Sequence, residues 1–180
     1  WGCSGGGGGQ FNNPTGLSVD GAGNVYVADS FNSRVQKFDA AGNFLLAWGY
    51  NVIDGGGINF EICTPTDTCQ AGSSATGNGA FDDPFGVAVY GSSVYVADTF
   101  ADRVVSFDLE DGELVELALD PPPDSPQALA FDAATLWVAG FGPELWQYSV
   151  RGRGTRLSSE FPGTFASRFM SRRARPGRAA

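Results

Sequence analysis

Residues 11–49 read Phe-Asn-Asn-Pro-Thr-Gly-Leu-Ser-Val-Asp-Gly-Ala-Gly-Asn-Val-Tyr-Val-Ala-Asp-Ser-Phe-Asn-Ser-Arg-Val-Gln-Lys-Phe-Asp-Ala-Ala-Gly-Asn-Phe-Leu-Leu-Ala-Trp-Gly, and this stretch decides the fold. It contains four short apolar runs, at residues 16–19, 25–28, 35–38 and 44–48, separated by turn-forming residues. Gly and Asn in the first and last separators accept the positive φ that tight hairpins need. Short apolar runs joined in this way are typical of a four-stranded antiparallel meander. The first, second and fourth runs are apolar at both alternating positions, so their sheet needs cover on both faces.

The stretch recurs along the chain. Tyr-Val-Ala-Asp at residues 26–29 is repeated 69 residues later at 95–98, and a weaker copy, Trp-Val-Ala-Gly, follows after a further 42 residues at 137–140. A period of roughly 40–45 residues with four strands in each unit is the signature of β-propeller blades. The first interval is longer because residues 50–79 form an insertion. Stacked blades cover both faces of each sheet, which explains the continuous apolar runs.

At these residues the chain resembles the NHL-repeat family of β-propellers. The family pattern is Gly-x-Phe-x-x-Pro-x-Gly-Val-Ala-Val-Asp, then Asn-Val-Tyr-Val-Ala-Asp, then Asn-x-Arg-Val-x-x-Phe-Asp and a Gly. The resemblance covers residues 9–150, where two copies are specific and the third is degenerate. The second copy departs at Tyr90 and Asp102, and the third carries Gly140 and Leu145 in place of the repeated Asp and Arg. The positions that fit in the first copy are Gly9, Phe11, Pro14, Gly16, Val19, Asp20, Asn24, Tyr26, Val27, Ala28, Asp29, Asn32, Arg34, Val35, Phe38, Asp39 and Gly42.

The resemblance implies an all-β fold, a β-propeller of the NHL type with about three four-stranded antiparallel blades of a six-bladed ring. Trp1-Gly2 repeats Trp48-Gly49, so we expect the sequence to be a fragment that begins where an earlier blade ends. Three blades cannot close a ring, so other blades of the same chain, or a homo-oligomer, are expected to complete it. The expected divisions are the end of a preceding blade with a flexible Gly-rich linker (1–10), a first blade (11–49), an insertion loop with a Cys pair (50–79), a second blade (80–120), a degenerate third blade (121–150) and a disordered Arg-rich tail (151–180).

The charge is divided between the repeats and the tail. Residues 1–150 hold 3 basic and 19 acidic side chains, whereas residues 151–180 hold 8 Arg and one Glu, which together give the net charge of −9. An acidic propeller repels phosphate backbones, which argues against nucleic acid as its partner. The Arg-rich tail is either an anionic-surface contact or an unfolded terminus. No apolar run approaches the roughly 20 residues of a membrane span, so no transmembrane segment is expected.

An acid and a base recur at the same place in the first two repeats. Asp29 and Arg34 are separated by four residues, and so are Asp98 and Arg103. In a hairpin this spacing places carboxylate and guanidinium across from each other at the strand ends. These groups could bind a ligand or form a structural ion pair. Recurrence in successive blades favours structural ion pairs, because a catalytic group is normally needed once.

The insertion carries the pair Cys63 and Cys69, while the partner of Cys3 is not indicated. Three Cys and no His in the whole chain argue against a zinc site, and a redox Cys-x-x-Cys is absent. A disulfide between Cys63 and Cys69 is therefore predicted, with two reduced thiols as the alternative. The disulfide implies an oxidising compartment, so the protein is expected to be extracytoplasmic: secreted, periplasmic or at the cell surface.

Aromatic residues recur in the loops between the second and third strands of each repeat. Phe31 and Phe100 lie in these loops, with Phe141 nearby in the third copy. In a meander blade these loops emerge on the same side of the ring as the connections between blades. Loops on a rigid scaffold are where binding usually occurs, so the three rings are a candidate binding face. The alternative is that each ring packs on the neighbouring blade.

Polar residues also precede the Pro that begins each innermost strand. Asn12, Asp82 and Asp124 stand in register and would surround the mouth of the central channel. Converging oxygen ligands are what Ca²⁺ requires, which makes these residues weak candidates for a calcium site. Asx residues before Pro also serve turns through their own backbone hydrogen bonds, so turn chemistry is the alternative.

Enzymatic interpretations find little support. The absence of His removes the usual general base, no catalytic residue is predicted and no cofactor is expected. We predict a non-enzymatic binding or scaffold module that contacts protein or ligand through its loop face. The alternative is a fragment of a metal-dependent propeller hydrolase of the lactonase or gluconolactonase type. Such an enzyme would place carboxylates and Asn on its innermost strands, and residues 17–19, 87–89 and 129–131 carry none.

Overall fold

A computed structural model describes residues 3–115, 119–120, 123–142, 145–149 and 157–158. Two short 3₁₀ turns, Ser30–Asn32 and Thr99–Ala101, are the helical elements in this part of the chain. Neither is long and apolar enough to cross a bilayer. The strands are β1 (Pro14–Val19), β2 (Val25–Asp29), β3 (Arg34–Phe38), β4 (Phe44–Tyr50), β5 (Phe60–Cys63), β6 (Pro84–Tyr90), β7 (Ser93–Asp98), β8 (Arg103–Asp108), β9 (Leu114–Val115), β10 (Leu119–Asp120), β11 (Pro126–Asp132), β12 (Thr135–Gly140), β13 (Leu145–Ser149) and β14 (Leu157–Ser158).

The strands form three antiparallel meanders in chain order. We call β1-β2-β3-β4-β5 blade 1, β6-β7-β8-β9 blade 2 and β11-β12-β13 blade 3. The innermost strands of successive blades, β1, β6 and β11, adjoin one another. The predicted all-β fold is confirmed, and the chain is a partial β-propeller.

Asp side chains build the tight turns of blade 1. Asp20 Oδ1 accepts hydrogen bonds from the backbone N–H groups of Ala22 and Asn24, each at 2.9 Å. Gly23, in the same turn, has φ +86°, a conformation that glycine adopts without strain. The same Asp-x-x-Gly-Asn arrangement recurs at the turn between β3 and β4. These hydrogen bonds are local to each turn and stabilise the hairpin registers without contacts from another blade.

Each junction between blades is made by the same two contacts. A Cβ placed on Gly16 would lie 2.2 Å from the carbonyl oxygen of Phe85, so only glycine allows β1 to approach β6 this closely. Ser30 Oγ also donates to the carbonyl of Pro84 at 2.6 Å. At the next junction a Cβ on Gly86 would lie 2.4 Å from the carbonyl oxygen of Gln127, and Thr99 Oγ1 donates to Pro126 at 2.7 Å.

Apolar clusters fill both junctions. The larger cluster lies between blades 1 and 2 and includes Tyr26, Val35, Trp48, Phe81 and Phe107. A second cluster lies between blades 2 and 3, where the rings of Tyr90 and Phe131 stack with centroids 4.6 Å apart. The buried apolar residues of blade 2 lie on both of its faces, as its continuous runs predict, whereas Leu17 and Val19 of β1 are 66% and 54% exposed.

Two segments differ from the expected divisions. Residues 60–63 of the insertion are a fifth strand of blade 1 instead of loop, because they pair with the free edge of β4. Leu157 and Ser158, within the segment expected to be a disordered tail, pair in parallel with β10. The remainder of residues 151–180 lies outside the described residues.

The third repeat differs from the expected register. Leu145 pairs with Ala139, as Val104 pairs with Ala97 in blade 2. The interpretation of Leu145 as the counterpart of Arg103 is therefore wrong. Five residues separate Ala139 from Leu145, whereas six separate Ala97 from Val104, so the connection between the second and third strands is one residue shorter in blade 3.

Candidate binding face

The first predicted ion pair lies at the loop end of β2 and β3. Asp29 Oδ2 and Arg34 Nε are 2.9 Å apart, and both side chains are fully buried. Asp29 Oδ1 accepts a hydrogen bond from the backbone N–H of Asn12 at 2.7 Å. The terminal nitrogens of the Arg34 guanidinium donate to four backbone carbonyls, those of Gly6, Gly7, Gln10 and Gln70. The pair therefore holds the connections that enter and leave blade 1.

The second ion pair repeats this arrangement in blade 2. Arg103 Nε lies 2.7 Å from Asp98 Oδ2, and the Arg103 side chain is 24% exposed. Asp98 Oδ1 accepts from the backbone N–H of Asp82 at 2.6 Å. The other Arg103 nitrogens donate to the carbonyls of Thr76, Gly77 and Ala80.

The loops held by the two arginines are equivalent. Segment 4–11 closes with a parallel bridge between Ser4 and Phe11, and segment 74–81 closes with one between Ser74 and Phe81. The expectation that Gly5–Gly9 forms a flexible linker is wrong, because the carbonyls of Gly6 and Gly7 are fixed on Arg34. A recurring Gly-x-Gly, at residues 7–9 and 77–79, is the sequence signal that identifies this loop.

Burial affects the two ion pairs differently. Desolvation raises the pKa of Asp98 to about 6, against the opposing effect of hydrogen bonds from the Asp82 backbone and Arg103. Desolvation also lowers the pKa of Arg34, and the attraction of Asp29 opposes this shift. Both pKa shifts have the same cause: burial removes water from a charged group, and the ion pair and hydrogen bonds only partly replace that water.

We expect Asp98 to make stability depend on pH between about 4 and 6. Its folded pKa of about 6 lies above the ordinary value of 3.8, so the folded state binds the proton more tightly. The resulting stabilisation is fully present below pH 4 and is lost as the pH rises through 6, a change of roughly 3 kcal/mol. Urea titrations of the wild type and Asp98→Asn at pH 4 and pH 7 measure it, because the neutral amide lacks this titration. Parallel pH profiles of the two proteins would contradict the shift.

The predicted aromatic residues are exposed on the loop face. Phe31 and Phe100 are 60% and 58% exposed, and each lies in a 3₁₀ turn between the second and third strands of its blade. Their backbone N–H groups donate to the carbonyls of Asn12 and Asp82. Phe141 is 65% exposed. The alternative, in which the ring is buried on a neighbouring blade, is wrong for Phe100, which has a described blade on each side; for Phe31 and Phe141, which have a described blade on one side, it stays a prediction.

Phe141 reaches this face from a different position in the repeat. Pro126 pairs with Gly140 as Pro84 pairs with Asp98, so Phe141 stands in the place of Thr99 and not in that of Phe100. The offset of 42 residues between the second and third copies predicts the same equivalence, and the strand register confirms it. All three rings nevertheless follow the loop end of a second strand, which places them on one side of the propeller.

Acidic side chains accompany these rings. Asp82, Asp83, Asp102 and Asp124 lie in the loops on this side, and Asp102 Oδ1 accepts from the backbone N–H of Ser125 at 2.8 Å. Partial burial, followed by the neighbouring charge of Asp82, raises the pKa of Asp83. Among the described residues the basic side chains are Arg34, Lys37 and Arg103, and all are engaged: Lys37 Nζ donates to the carbonyl of Leu109 at 2.7 Å. The face is therefore aromatic and acidic.

The residues proposed for calcium lie in the loops that enter the innermost strands. Asn12 and Asp82 bind the ion pairs through their backbone N–H groups, and Asp82 Oδ1 accepts from Ser74 Oγ at 2.6 Å. Asp124 precedes Ser125, which has a positive φ of 40° in the turn that enters β11. Within the part of the chain that the structure describes, no three His, Cys, Asp or Glu side chains are grouped as a metal site requires.

The insertion forms the rim of the loop face at blade 1. A disulfide joins Cys63 and Cys69, as predicted. After it, the backbone N–H of Gly72 donates to the carbonyl of Asn32, beside Phe31. Exposed Ile58 extends the apolar surface in this insertion. Sequence reasoning missed Ile58, because a single apolar residue in a Gly-rich loop carries no periodic signal.

Comparison with known proteins locates one repeat. The profile of the NHL repeat matches residues 11–38, which span β1, β2 and β3. Residues 11–38 are an NHL repeat. The ion pair Asp29–Arg34 and the exposed Phe31 therefore belong to this NHL repeat. No curated protein matches the sequence.

Solved structures resemble the chain at low sequence identity. The computationally designed Ika4 protein is 12% identical with a TM-score of 0.54, and the match covers 86% of this chain and 76% of Ika4. Glutaminyl cyclase of Myxococcus xanthus is 12% identical with a TM-score of 0.45, and the match covers 81% of this chain and 51% of the cyclase. The designed Ika8 protein is 12% identical with a TM-score of 0.40, and 81% and 47% are covered. At this identity the Ika4 match is a likeness of fold.

Reduction of the disulfide should loosen the insertion and leave the NHL repeat folded. The bond closes a loop with a sequence separation of 6, and closing so short a loop contributes only about 2–3 kcal/mol. Hydrogen exchange with and without reductant should show faster exchange in residues 51–73 and unchanged protection in β2, β3 and β7. A Cys3→Ser chain is the control for the free thiol. An equal increase in the hydrogen exchange of β7 would show that the disulfide stabilises blade 2 as well as the insertion.

Proposed function

We propose that the chain is a non-enzymatic binding or scaffold module that contacts a protein or ligand through its loop face. The observation that supports this proposal is the exposure of Phe31, Phe100 and Phe141 on one side of the propeller. Solvent-exposed aromatic rings are enriched at interfaces, where they contribute much of the binding energy. Here the repeated ion pairs hold the loops that surround the rings. Such a scaffold limits the conformational entropy lost on binding.

The proposal includes the compartment and the assembly. The disulfide favours an extracytoplasmic location, because such bonds persist in oxidising environments. We further propose that additional blades, from the same chain or from a homo-oligomer, complete a ring of six. A closed ring would present the loops of all its blades on one surface.

A peptide-display selection tests the binding role. Peptides enriched on the wild type should lose at least about tenfold in affinity for Phe31→Ser/Phe100→Ser, because two interface aromatic side chains are removed. Leu17→Ser is the matched control, since Leu17 is as exposed as the two rings but lies on the innermost strand of blade 1. If peptide binding survives Phe31→Ser/Phe100→Ser but is lost in Leu17→Ser, the peptides bind the innermost strand of blade 1 and not the loop face.

Calorimetry distinguishes the proposal from the hydrolase alternative. Titration of the wild type with Ca²⁺, together with an assay on a simple lactone, should give neither binding heat nor turnover. Tight Ca²⁺ binding that accompanies lactone hydrolysis would overturn the non-enzymatic role.

A further inference from the structure

Blade 2 carries acidic side chains on the loop face where blade 1 carries neutral ones. Asn13 and Asp83 hold equivalent places, each with a positive φ before the Pro that begins the innermost strand. Ser33 and Asp102 are also equivalent, because each has a positive φ and closes the 3₁₀ turn of its blade through its backbone N–H. Blade 1 shows that neutral side chains satisfy both turns. The local fold therefore does not require the charges of Asp83 and Asp102.

Two exposed rings lie among these carboxylates. The backbone N–H of Phe141 donates to the carbonyl of Ser125, and the N–H of Ser125 donates to Asp102, two residues after Phe100. No basic side chain in the described part of the chain forms an ion pair with these acids. We call the surface they form with the rings the acidic aromatic surface, and its residues are Asp82, Asp83, Phe100, Asp102, Asp124 and Phe141.

Strand β14 directs the end of the chain toward this surface. Strand β9 is antiparallel to β8, which begins at the loop end with Arg103, so β9 runs back toward the loop face. The chain then passes through β10 and reaches Asp124 four residues after Asp120. Because β14 is parallel to β10, with Ser158 opposite Asp120, the segment that leaves Ser158 starts in the same direction.

That segment has the complementary composition. Residues 159–180 contain five Arg, three Phe and one Glu. Arg binds carboxylates through paired hydrogen bonds and stacks on aromatic rings. The ten residues from Ser158 to Arg168 span up to about 33 Å when extended, whereas a four-stranded blade is only about 15 Å wide. The arginines can therefore reach every residue of the acidic aromatic surface.

We propose that residues 159–180 dock on the acidic aromatic surface of the same molecule and occupy the loop face until a partner displaces them. This inference rests on the proposed function for the binding capacity of the loop face, and it adds a ligand that the chain itself carries. Its test uses no added peptide, so a failed test would leave the proposed function standing.

A nitroxide in the C-terminal segment tests the docking in the full chain. Ala174→Cys in a Cys3→Ser background takes the label without reductant, which keeps the disulfide intact. Amide spectra with the active and the reduced label should differ by strong broadening at Asp83, Asp102 and Ser125. The turn at residues 20–24, at the opposite end of blade 1, should not broaden.

Neutralising the surface should release the segment. Asp83→Asn/Asp102→Asn should weaken the broadening at least about threefold, because two exposed ion pairs are lost. Glu110→Gln/Glu113→Gln is the matched control, since it removes the same charge from the turn between β8 and β9 at the opposite end of blade 2, and it should change nothing. Broadening that both variants weaken equally would overturn the inference, because net charge alone would then explain it.

Two further measurements complete the test. Arg172→Gln/Arg173→Gln should weaken the broadening as well, and this variant decides the matter if the Asp83→Asn/Asp102→Asn chain fails to fold. A mixture of labelled chain and isotopically enriched unlabelled chain should show no broadening. Broadening in the mixture would assign the contact to the C-terminal segment of a second copy, and no broadening of the loop face in the labelled chain would exclude docking. Either result would overturn the inference.

Discussion

Gly86→Ala should destabilise the protein by about 3 kcal/mol or more, a large effect for the addition of one methyl group. The new Cβ would lie 2.4 Å from the carbonyl oxygen of Gln127 and 3.2 Å from Ala128 Cα. Both neighbours are backbone atoms of the next blade, so no side-chain rotation relieves the contact. Strand β6 must move away from β11, which opens the apolar cluster between blades 2 and 3. Gly86 has no positive φ, so backbone strain does not contribute.

Urea denaturation of Gly86→Ala and Gly21→Ala measures this effect. Gly21 is the matched control, because a Cβ there meets nothing within 4 Å and its φ is not positive. The control should change the free energy of unfolding by less than about 1 kcal/mol, in either direction. Equal stabilities of the two variants would show that β6 and β11 do not approach as closely as described.

Asp29→Ala is expected to cost about 3–5 kcal/mol, the range for breaking a buried ion pair. It leaves the fully buried guanidinium of Arg34 without its carboxylate partner. The side-chain amides of Asn32 and Gln36, which donate to Asp29 Oδ2 at 2.9 and 3.0 Å, also lose this acceptor and keep only the carbonyls of Gly5 and Gln10. The carbonyls that Arg34 holds would no longer be fixed, so the loop at residues 4–11 should loosen as well.

Asp98→Ala is the matched comparison, since it removes the equivalent carboxylate of blade 2. Arg103 is 24% exposed, so water can solvate its charge after the change, and the cost should be smaller than for Asp29→Ala. Chemical denaturation of both variants at pH 7 gives the difference. An equal loss in the free energy of unfolding for Asp98→Ala and Asp29→Ala would show that burial of the arginine does not determine the effect of removing its partner.

Much of the architecture follows from the sequence because it is local and repeated. The separators that carry Gly and Asn fix each hairpin, and the recurrence of Tyr-Val-Ala-Asp fixes the number of blades. The spacing of Asp29 and Arg34 predicts their contact, because a hairpin with a short loop brings these two positions together. The disulfide follows from elimination, since no His is available to share a metal.

The features that escaped prediction depend on non-local geometry. Strand β5 forms because β4 has a free edge, which residues 60–63 do not reveal by themselves. The place of Leu145 depends on a connection between β12 and β13 that is one residue shorter than its counterpart in blade 2, and the weak sequence match of the third repeat conceals this difference. The exposure of Phe31 and Phe100 depends on how far the neighbouring blade reaches toward the loops, which the pattern of the repeat does not specify.

The central claim is that the three sheets are successive blades joined through their innermost strands, and NMR tests it most directly. The Cβ position of Gly16 lies 2.9 Å from Gly86 Cα, and that of Gly86 lies 3.2 Å from Ala128 Cα. Nuclear Overhauser spectra should therefore contain α-proton cross-peaks between Gly16 and Gly86 and between Gly86 and Ala128. Folded protein with assigned α-protons but without these cross-peaks would contradict the propeller arrangement.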